Sequence, residues 1–271
     1  MRAYWTKRQT DQLNKLYETT MKQLKRQLAK QYSRCAEETI NELNRLWIQI
    51  QEALGGRQIN ITDFYQYNRL YEMLGKFNKQ LTRLGLKEIK IMEPGLIEMY
   101  KATGAMLGTH FNLTSSINEA IVESIVNRIW CTDGKMWSTR IWNNKTLFQQ
   151  RLMDGLVDMV GRGVSHDDVI SRFREEFNVE YHKAQRLVRT ELEYVQTQAT
   201  LDSYIKAGVQ WYNVLDAGDY PGSRESPERE CIRCHEIADG GPYSISTAQV
   251  EVNLPPFHPN CRCVITPFYP S

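Results

Sequence analysis

Apolar residues recur every three to five positions from residue 11 to residue 54, a stretch without glycine or proline. This spacing places them on one face of an α-helix. The apolar positions are Leu13, Tyr17, Met21, Leu24, Leu28, Tyr32, Cys35, Ile40, Leu43, Trp47, Ile50 and Leu54. At 1.5 Å per residue the helix would extend for roughly 65 Å, and Gly55-Gly56 is its expected end. A pattern this long predicts either a coiled-coil arm or one rod of a helical hairpin.

The middle of the chain continues with further helical segments. A second helix is predicted from Thr62 to Leu84, and Gly85 is expected to end it. Its predicted apolar face comprises Phe64, Tyr67, Tyr71, Leu74, Phe77 and Leu81. Ser165 is the expected N-cap of a later helix. The remaining helices are predicted at 94–110, 118–130, 147–160 and 180–207, with Gly208 after the last.

Two groups of side chains in this helical region could belong to a functional site. Three tryptophans lie between residues 130 and 142, a pattern that favours a corner of the core over a partner-binding surface. Arg189, Thr190 and Glu191 carry groups that act in catalysis, but the sequence offers no nucleophile or second carboxylate at a useful spacing from them. We therefore interpret the three residues as a network on the surface of a helix.

After Gly208 the pattern changes to short extended runs, at 209–215, 242–246 and 263–268, with a polar loop at 216–227. Segments this short bury little apolar area. The fold is therefore predicted to be mainly α, with long N-terminal helices and a helical middle, followed by a small α+β C-terminal module. The four cysteines clustered at 231–263 would staple this module through zinc. The predicted domains are a helical arm or hairpin at 1–110, a helical core at 111–208 and a β-rich zinc-binding module at 209–271.

The composition is that of a globular protein, with 41% hydrophobic residues, 24% charged residues and a net charge of +2. No run of apolar residues is long enough to predict a membrane span. The first residues lack the pattern of a secretory signal peptide, so we expect synthesis in the cytoplasm. Thiols stay reduced there, which favours metal binding over disulfides for the clustered cysteines.

Four of the six cysteines fall between residues 231 and 263. The string C-I-R-C-H contains Cys231 and Cys234, a spacing that brings two thiolates to one side of a turn. The string H-P-N-C-R-C offers His258, Cys261 and Cys263. Together they provide the three-Cys, one-His set of a closed structural zinc site.

The first three ligands are predicted to be Cys231, Cys234 and His258. The fourth is Cys261 or Cys263, whose side chains we expect to face opposite ways. His235 is expected to lie outside the site. The C-x-x-C-H string also matches a c-type haem attachment site, but haem attachment requires export and leaves the second cluster unexplained. A catalytic zinc is less favoured, because enough Cys and His ligands are present to close the coordination shell.

The first thirty residues contain eight basic and two acidic groups, a local net charge of +6. This segment is either the solvated side of an amphipathic helix or a surface for DNA phosphates or an acidic protein. The candidate DNA contacts are Lys7, Arg8, Lys15, Lys22, Lys25 and Arg26.

The strings A-Q-R-L-V-R-T-E-L, A-G-V-Q-W-Y, C-I-R-C and P-P-F-H-P-N-C-R-C follow one another between about residues 180 and 267. This series resembles the Mu F-like phage head-morphogenesis family, whose members are minor head or minor capsid proteins. A weaker likeness extends to W-S-T-R-I-W at 137–142 and to the G-R-G-V-S string after it. The first 110 residues carry no motif of this family.

The resemblance implies a minor protein of tailed-phage heads that associates with the portal vertex inside the procapsid. It would assist capsid assembly and DNA packaging or ejection, without enzymatic activity. The implied partners are the portal protein and a major capsid or scaffolding protein. The implied location is the capsid interior near the portal, after assembly in the host cytoplasm. The alternatives are a zinc-dependent nuclease, since His258-Pro-Asn260 beside cysteines resembles a His/Asn nuclease site, and a DNA-binding adaptor.

Overall fold

The computed structural model describes residues 2–55, 62–63, 69–113, 118–216 and 231–270. The predicted fold class is confirmed, because long helices precede a small C-terminal sheet. In chain order the elements are α1 (Arg2–Leu54), α2 (Arg69–His110), α3 (Glu119–Val126), α4 (Trp137–Gly161), α5 (His166–Lys206), β1 (Trp211–Leu215), α6 (Ile232–Asp239), β2 (Tyr243–Ser244), a 3₁₀ turn (Ile245–Thr247) and β3 (Val264–Phe268). Among the described helices, none has an 18-residue stretch apolar enough to cross a bilayer.

Helix α1 follows the predicted apolar stripe. Every predicted position of the stripe is buried except Leu54, which is half-buried. Gly55 follows the helix with φ of +60°, the left-handed conformation that commonly ends helices. The spacing of the apolar residues was sufficient to predict this helix, because one continuous face of it is buried along its length.

Helix α2 corrects the prediction of two helices separated at Gly85 and restarting at Pro94. It is one helix from Arg69 to His110, with Pro94 inside it. Gly85 does not end the helix but admits the ring of Trp142, since a Cβ there would lie 2.8 Å from that ring. The glycine is therefore used for close packing, which local breaker signals do not reveal.

The predicted apolar face of this region is also shifted. Residues Met73, Phe77, Leu81 and Leu84 are buried, whereas Tyr71 is 67% exposed. The predicted positions Phe64 and Tyr67 lie outside the described residues.

The chain divides into two compact units. Unit 1 comprises Met1–Leu24, Met92–Trp137 and Arg186–Ser271, and unit 2 comprises Lys25–Ile91 and Ser138–Gln185. Each unit therefore draws on segments distant in sequence. The three-part division at residues 110 and 208 stays a prediction.

In unit 2, α1 and α2 run antiparallel, as a helical hairpin requires. Thr39 Oγ1 donates to Gln80 Oε1 at 2.8 Å, and Lys76 Nζ lies 2.7 Å from Glu42 Oε2. Later residues of α1 therefore contact earlier residues of α2. Of the two predicted arrangements for α1, the hairpin is the one seen in this unit.

Unit 2 also encloses a network of charged side chains around Lys145 of α4. Its Nζ lies 2.5 Å from Glu88 Oε1, 2.6 Å from the Tyr32 hydroxyl and 3.4 Å from Glu180 Oε1. All four side chains are buried. Arg151 adds a second cation, 2.8 Å from Glu180 Oε2. Buried charges are tolerated when they are paired and hydrogen-bonded in this way.

The ends of the middle helices differ from the predicted ones. Asn118 caps α3, accepting the Ala120 N–H at 3.0 Å, but α3 stops at Val126 rather than Trp130. Helix α4 begins ten residues before the predicted Leu147, at Trp137. The predicted cap at Ser165 is confirmed by its bond from the Asp168 N–H at 3.2 Å.

Helix α5 unites the two helices predicted after Ser165 and ends before Gly208, whose φ is +72°. Its residues 191–200 are all buried, including several polar ones. Such a stretch shows no amphipathic pattern in its burial, because neighbouring parts of the protein cover every side of the helix. This buried part of the helix belongs to unit 1.

The predicted tryptophan corner is divided between the units. Trp130 and Trp137 pack in unit 1, where Trp130 stacks on Tyr194 at 4.8 Å between ring centroids and Trp137 is buried. Trp142 belongs to unit 2 and is 36% exposed.

The three predicted strands form an antiparallel sheet in the order β2-β1-β3. Trp211 pairs with Ser244 of β2 and with Phe268 of β3. The apolar cluster under the sheet includes Tyr204 of α5 together with Tyr212 and Phe257. The expectation that these strands bury little apolar area is wrong, because the sheet packs on the end of α5.

Candidate metal centre

The five predicted ligands come from two segments of unit 1 that meet beside the sheet. Cys231 directly precedes α6, and Cys234 lies in its first turn. His258, Cys261 and Cys263 belong to the irregular segment before β3. Because one helical turn separates Cys231 from Cys234, their sulfur atoms can face the same side.

The possible ligand atoms form two groups of three that share Cys234. One group is Cys231, Cys234 and His258, and the other is Cys234, Cys261 and Cys263. Within each group the atoms lie within 4.8 Å of one another. Cys234 is therefore the central donor of the cluster.

The distances at Cys234 can be compared with those of a tetrahedral zinc site. Cys234 Sγ lies 4.0 Å from Cys261 Sγ and 3.1 Å from His258 Nε2. With bonds of about 2.3 Å to sulfur and 2.1 Å to nitrogen, a tetrahedral ion sets an S–S distance of about 3.8 Å and an S–N distance of about 3.6 Å. The sulfur–sulfur distance fits such an ion, whereas the shorter sulfur–nitrogen distance is that of a hydrogen bond.

The prediction that Cys261 and Cys263 face opposite ways is wrong. Side chains two positions apart on a strand point to the same face, and β3 begins only at Val264. Both sulfur atoms lie within 4.8 Å of Cys234 Sγ. The geometry therefore leaves both cysteines as candidates for the fourth ligand.

The five candidate ligands differ in how deeply they are buried. Cys234, Cys261 and Cys263 are 5% exposed or less, whereas Cys231 and His258 are half-buried. His258 Nδ1 lies 2.9 Å from the Pro259 carbonyl, which can only accept a hydrogen bond. The proton of a neutral His258 therefore sits on Nδ1, and the lone pair of Nε2 points toward Cys234.

The three buried thiols perturb one another. Hydrogen bonds from Cys234 and Cys263 hold the pKa of Cys261 well below its usual range. The hydrogen bond to Cys261 raises the pKa of Cys234, and the hydrogen bonds to Cys234 and Cys261 raise that of Cys263. These hydrogen bonds to Cys261 favour its thiolate, the form of cysteine that binds metals.

His235 lies outside both ligand groups. Its Nδ1 is 2.9 Å from Asp216 Oδ2, and its Nε2 is 3.5 Å from Asp239 Oδ2. Both ring nitrogens are therefore engaged by carboxylates. The polar loop that precedes Cys231 falls largely outside the described residues.

The predicted surface network at Arg189, Thr190 and Glu191 is corrected, because Thr190 and Glu191 are buried. Glu191 accepts the indole N–H of Trp130 at 2.9 Å. Thr190 accepts the backbone N–H of Asn260, next to Cys261, at 3.1 Å. Sequence reasoning missed this link, since both partners are polar residues far apart in the chain.

The candidate DNA-contacting residues lie on α1 and are all exposed: Lys7, Arg8, Lys15, Lys22, Lys25 and Arg26. Asp11 and Glu18 are exposed on the same helix. The burial pattern therefore agrees with a solvated helix face and leaves these basic groups accessible to a polyanion.

A cleft of about 1030 Å³ lies between α2, α3 and α5 of unit 1. Asp202 is the only acidic residue that lines it among the described residues, and its carboxylate accepts the hydroxyl of Tyr100. Within the described part of the chain, the cleft therefore brings together no pair of carboxylates of the kind used in general acid–base catalysis.

The model of the family described as Phage Mu protein F like protein matches residues 150–266. No curated protein and no solved structure shows significant similarity to the chain. The matched region contains α5, the sheet through Thr266 and all five Cys and His donors. The resemblance predicted from the motifs is thus confirmed: over residues 150–266 the chain matches the Phage Mu protein F like family.

Proposed function

We propose that this chain is a phage minor head protein that acts in head morphogenesis. The observation that carries the proposal is the family match over residues 150–266. The protein would associate with the portal vertex inside the procapsid, with the portal protein as its main partner and a major capsid or scaffolding protein as another. From there it would assist capsid assembly and DNA packaging or ejection.

The test of this role is co-purification with the cognate portal protein, combined with mass spectrometry of finished particles. A few copies per particle together with portal binding are expected. Absence from both the particles and the portal complex would refute the proposal.

The cluster of Cys231, Cys234, His258, Cys261 and Cys263 is proposed to hold one structural zinc ion through four of the five donors. Three buried cysteines and a histidine with Nε2 directed at Cys234 support this ligand set. When bound, the ion would supply folding free energy by cross-linking α6 to the segment before β3.

The zinc proposal is tested by metal analysis of the purified chain. About one zinc per chain is expected, and Cys234→Ser should lose it and lower the melting temperature. Cys35→Ser is the matched control, because Cys35 is a buried cysteine of unit 2. Unchanged stability of the wild-type protein in excess chelator would contradict a structural ion.

We also propose that the exposed basic side chains of α1 contact DNA. The neutralising triple substitution Lys15→Gln, Lys22→Gln and Arg26→Gln should weaken binding. If all three contact phosphates, the slope of log K against log salt should become less steep by roughly 2.7, at about 0.9 per contact.

The matched control for DNA binding is the same neutralisation of three exposed basic residues on α2: Lys79, Arg83 and Lys87. This control should leave the salt slope unchanged. Equal effects of the two triple variants would reject a specific role for α1.

The proposed role is non-enzymatic. Two observations support it: His258 Nε2 lies 3.1 Å from Cys234 Sγ, and Asn260 has φ of +65° within a turn. Incubation with plasmid in Mg²⁺ or Mn²⁺ should leave the DNA intact. Cleavage that is lost in His258→Ala or His235→Ala would establish the nuclease alternative instead.

A further inference from the structure

One hydrogen bond joins the helix and the Cys/His segment that together carry the family resemblance. The backbone N–H of Asn260 donates to Thr190 Oγ1 at 3.1 Å. The Thr190 hydroxyl donates in turn to the Arg186 carbonyl at 2.8 Å. With its proton directed to its own helix, the hydroxyl oxygen presents its lone pairs to Asn260. Thr190 is 6% exposed, so water does not readily replace this bond.

The Asn260 N–H that donates this bond belongs to a turn that contains two candidate ligands, His258 and Cys261. The Cys261 N–H donates to the His258 carbonyl at 3.1 Å and closes the turn. Asn260, in its middle, has φ of +65°, a region disfavoured for residues with a Cβ and tolerated best by asparagine and aspartate. A turn of this kind persists when surrounding contacts hold it. The bond from Asn260 to Thr190 is such a contact, made to a buried residue of α5 in unit 1.

We infer that Thr190 is a positioning residue for the metal centre. Its hydroxyl fixes the turn at residues 258–261, so that the side chains of His258 and Cys261 meet Cys234. This inference rests on the proposed metal site. Groups that orient metal ligands without touching the metal typically change affinity by 10–100-fold when they are removed.

The test compares Thr190→Val with Thr200→Val. Thr200 is a matched control, because it is buried on the same helix and its hydroxyl donates to the carbonyl four residues earlier, Gln196, at 2.8 Å. Both variants lose a hydroxyl and one bond within the helix. Only Thr190→Val also leaves the Asn260 N–H without its acceptor.

The readout is zinc affinity by competition with a chromogenic chelator, with the absorption spectrum of the Co²⁺-substituted protein as a second measure. Thr190→Val is expected to bind zinc 10–100-fold more weakly and to change the Co²⁺ bands. Thr200→Val and the conservative Thr190→Ser should stay close to wild type. Rescue by serine separates the role of the hydroxyl from that of the methyl group.

Equal zinc affinity in Thr190→Val and Thr200→Val would overturn the inference while leaving the metal site intact. A wild-type chain that binds neither zinc nor Co²⁺ would reject the metal site and this inference with it. If Thr190→Val does not fold, the inference is tested by hydrogen exchange of the Asn260 amide in the metal-free wild-type protein. Slow exchange supports a turn held before metal binding, and rapid exchange overturns the inference.

Discussion

Replacing Lys145 with methionine would test the buried charge network of unit 2. The ammonium group lies 2.5 Å from Glu88 Oε1 and also contacts Tyr32 and Glu180. Methionine keeps most of the side-chain volume and removes the charge. The substitution therefore asks how much of the stability depends on the ion pair itself.

The magnitude follows from which carboxylate loses its cation. Glu180 keeps Arg151 at 2.8 Å. Among the described residues, Glu88, which is 1% exposed, would keep the hydroxyl of Tyr32 at 2.6 Å as its hydrogen-bond donor. Leaving a buried charge without its partner costs about 3–5 kcal/mol. Because Tyr32 still donates a hydrogen bond, we expect about 3 kcal/mol near neutral pH.

The loss of stability in Lys145→Met should depend on pH. Burial already raises the pKa of Glu88 despite the favourable effect of Lys145, and removing Lys145 should raise it further. A carboxyl group whose pKa is raised on folding stabilises the folded state below its unfolded pKa and loses that contribution as pH rises through the folded pKa. The cost of Lys145→Met should therefore shrink from pH 7 toward pH 4, where Glu88 is protonated.

The assay is urea unfolding followed by circular dichroism at a series of pH values. Adding Glu88→Gln to Lys145→Met should recover more than half of the lost free energy at pH 7, since no charge is then left unpaired at position 88. A cost below 1 kcal/mol at pH 7, or one that does not vary with pH, would refute the reasoning.

Two further predictions concern packing and titration in unit 2. Gly75→Ala should stabilise the protein by about 0.5–1 kcal/mol, since open space surrounds the added Cβ. Gly85→Ala should destabilise it by forcing the Trp142 ring aside, and equal melting temperatures for the two variants would contradict this. The hydrogen bond from Lys76 lowers the pKa of Glu42. The stabilising effect of ionised Glu42 is therefore lost as pH falls. The stability advantage of wild type over Glu42→Gln should shrink from pH 7 to pH 3.5 in urea titrations.

The sequence predicted α1 and the small sheet correctly because each has a regular local pattern. Helix α2 was divided wrongly because Gly85 and Pro94 are breakers in isolation. The contact that gives Gly85 its role comes from Trp142, more than fifty residues later. Local signals cannot anticipate a packing partner at that distance.

The candidate site shows the same limit. The Cys and His residues that meet in space were identified, because ligand chemistry restricts which residue types can cluster in this way. Thr190 was placed on a surface, since nothing local reveals that Asn260 supplies its partner. The expectation that Cys261 and Cys263 face opposite ways failed for another reason, because side chains two positions apart along a strand share a face.

The core beneath the sheet changes what the metal is expected to contribute. Small zinc modules without an apolar core are unfolded when the metal is removed. Here the sheet packs on α5, and the Tyr204 hydroxyl donates to the Ile265 carbonyl at 3.0 Å. Cys234, Cys261 and Cys263 belong to the same apolar cluster, but the bond from Tyr204 and the pairing of β1 with β3 involve none of the candidate ligands. Removing zinc should therefore release the segments around Cys231 and His258 while the sheet and α5 keep their structure, so the ion would fix the position of these segments rather than create the fold.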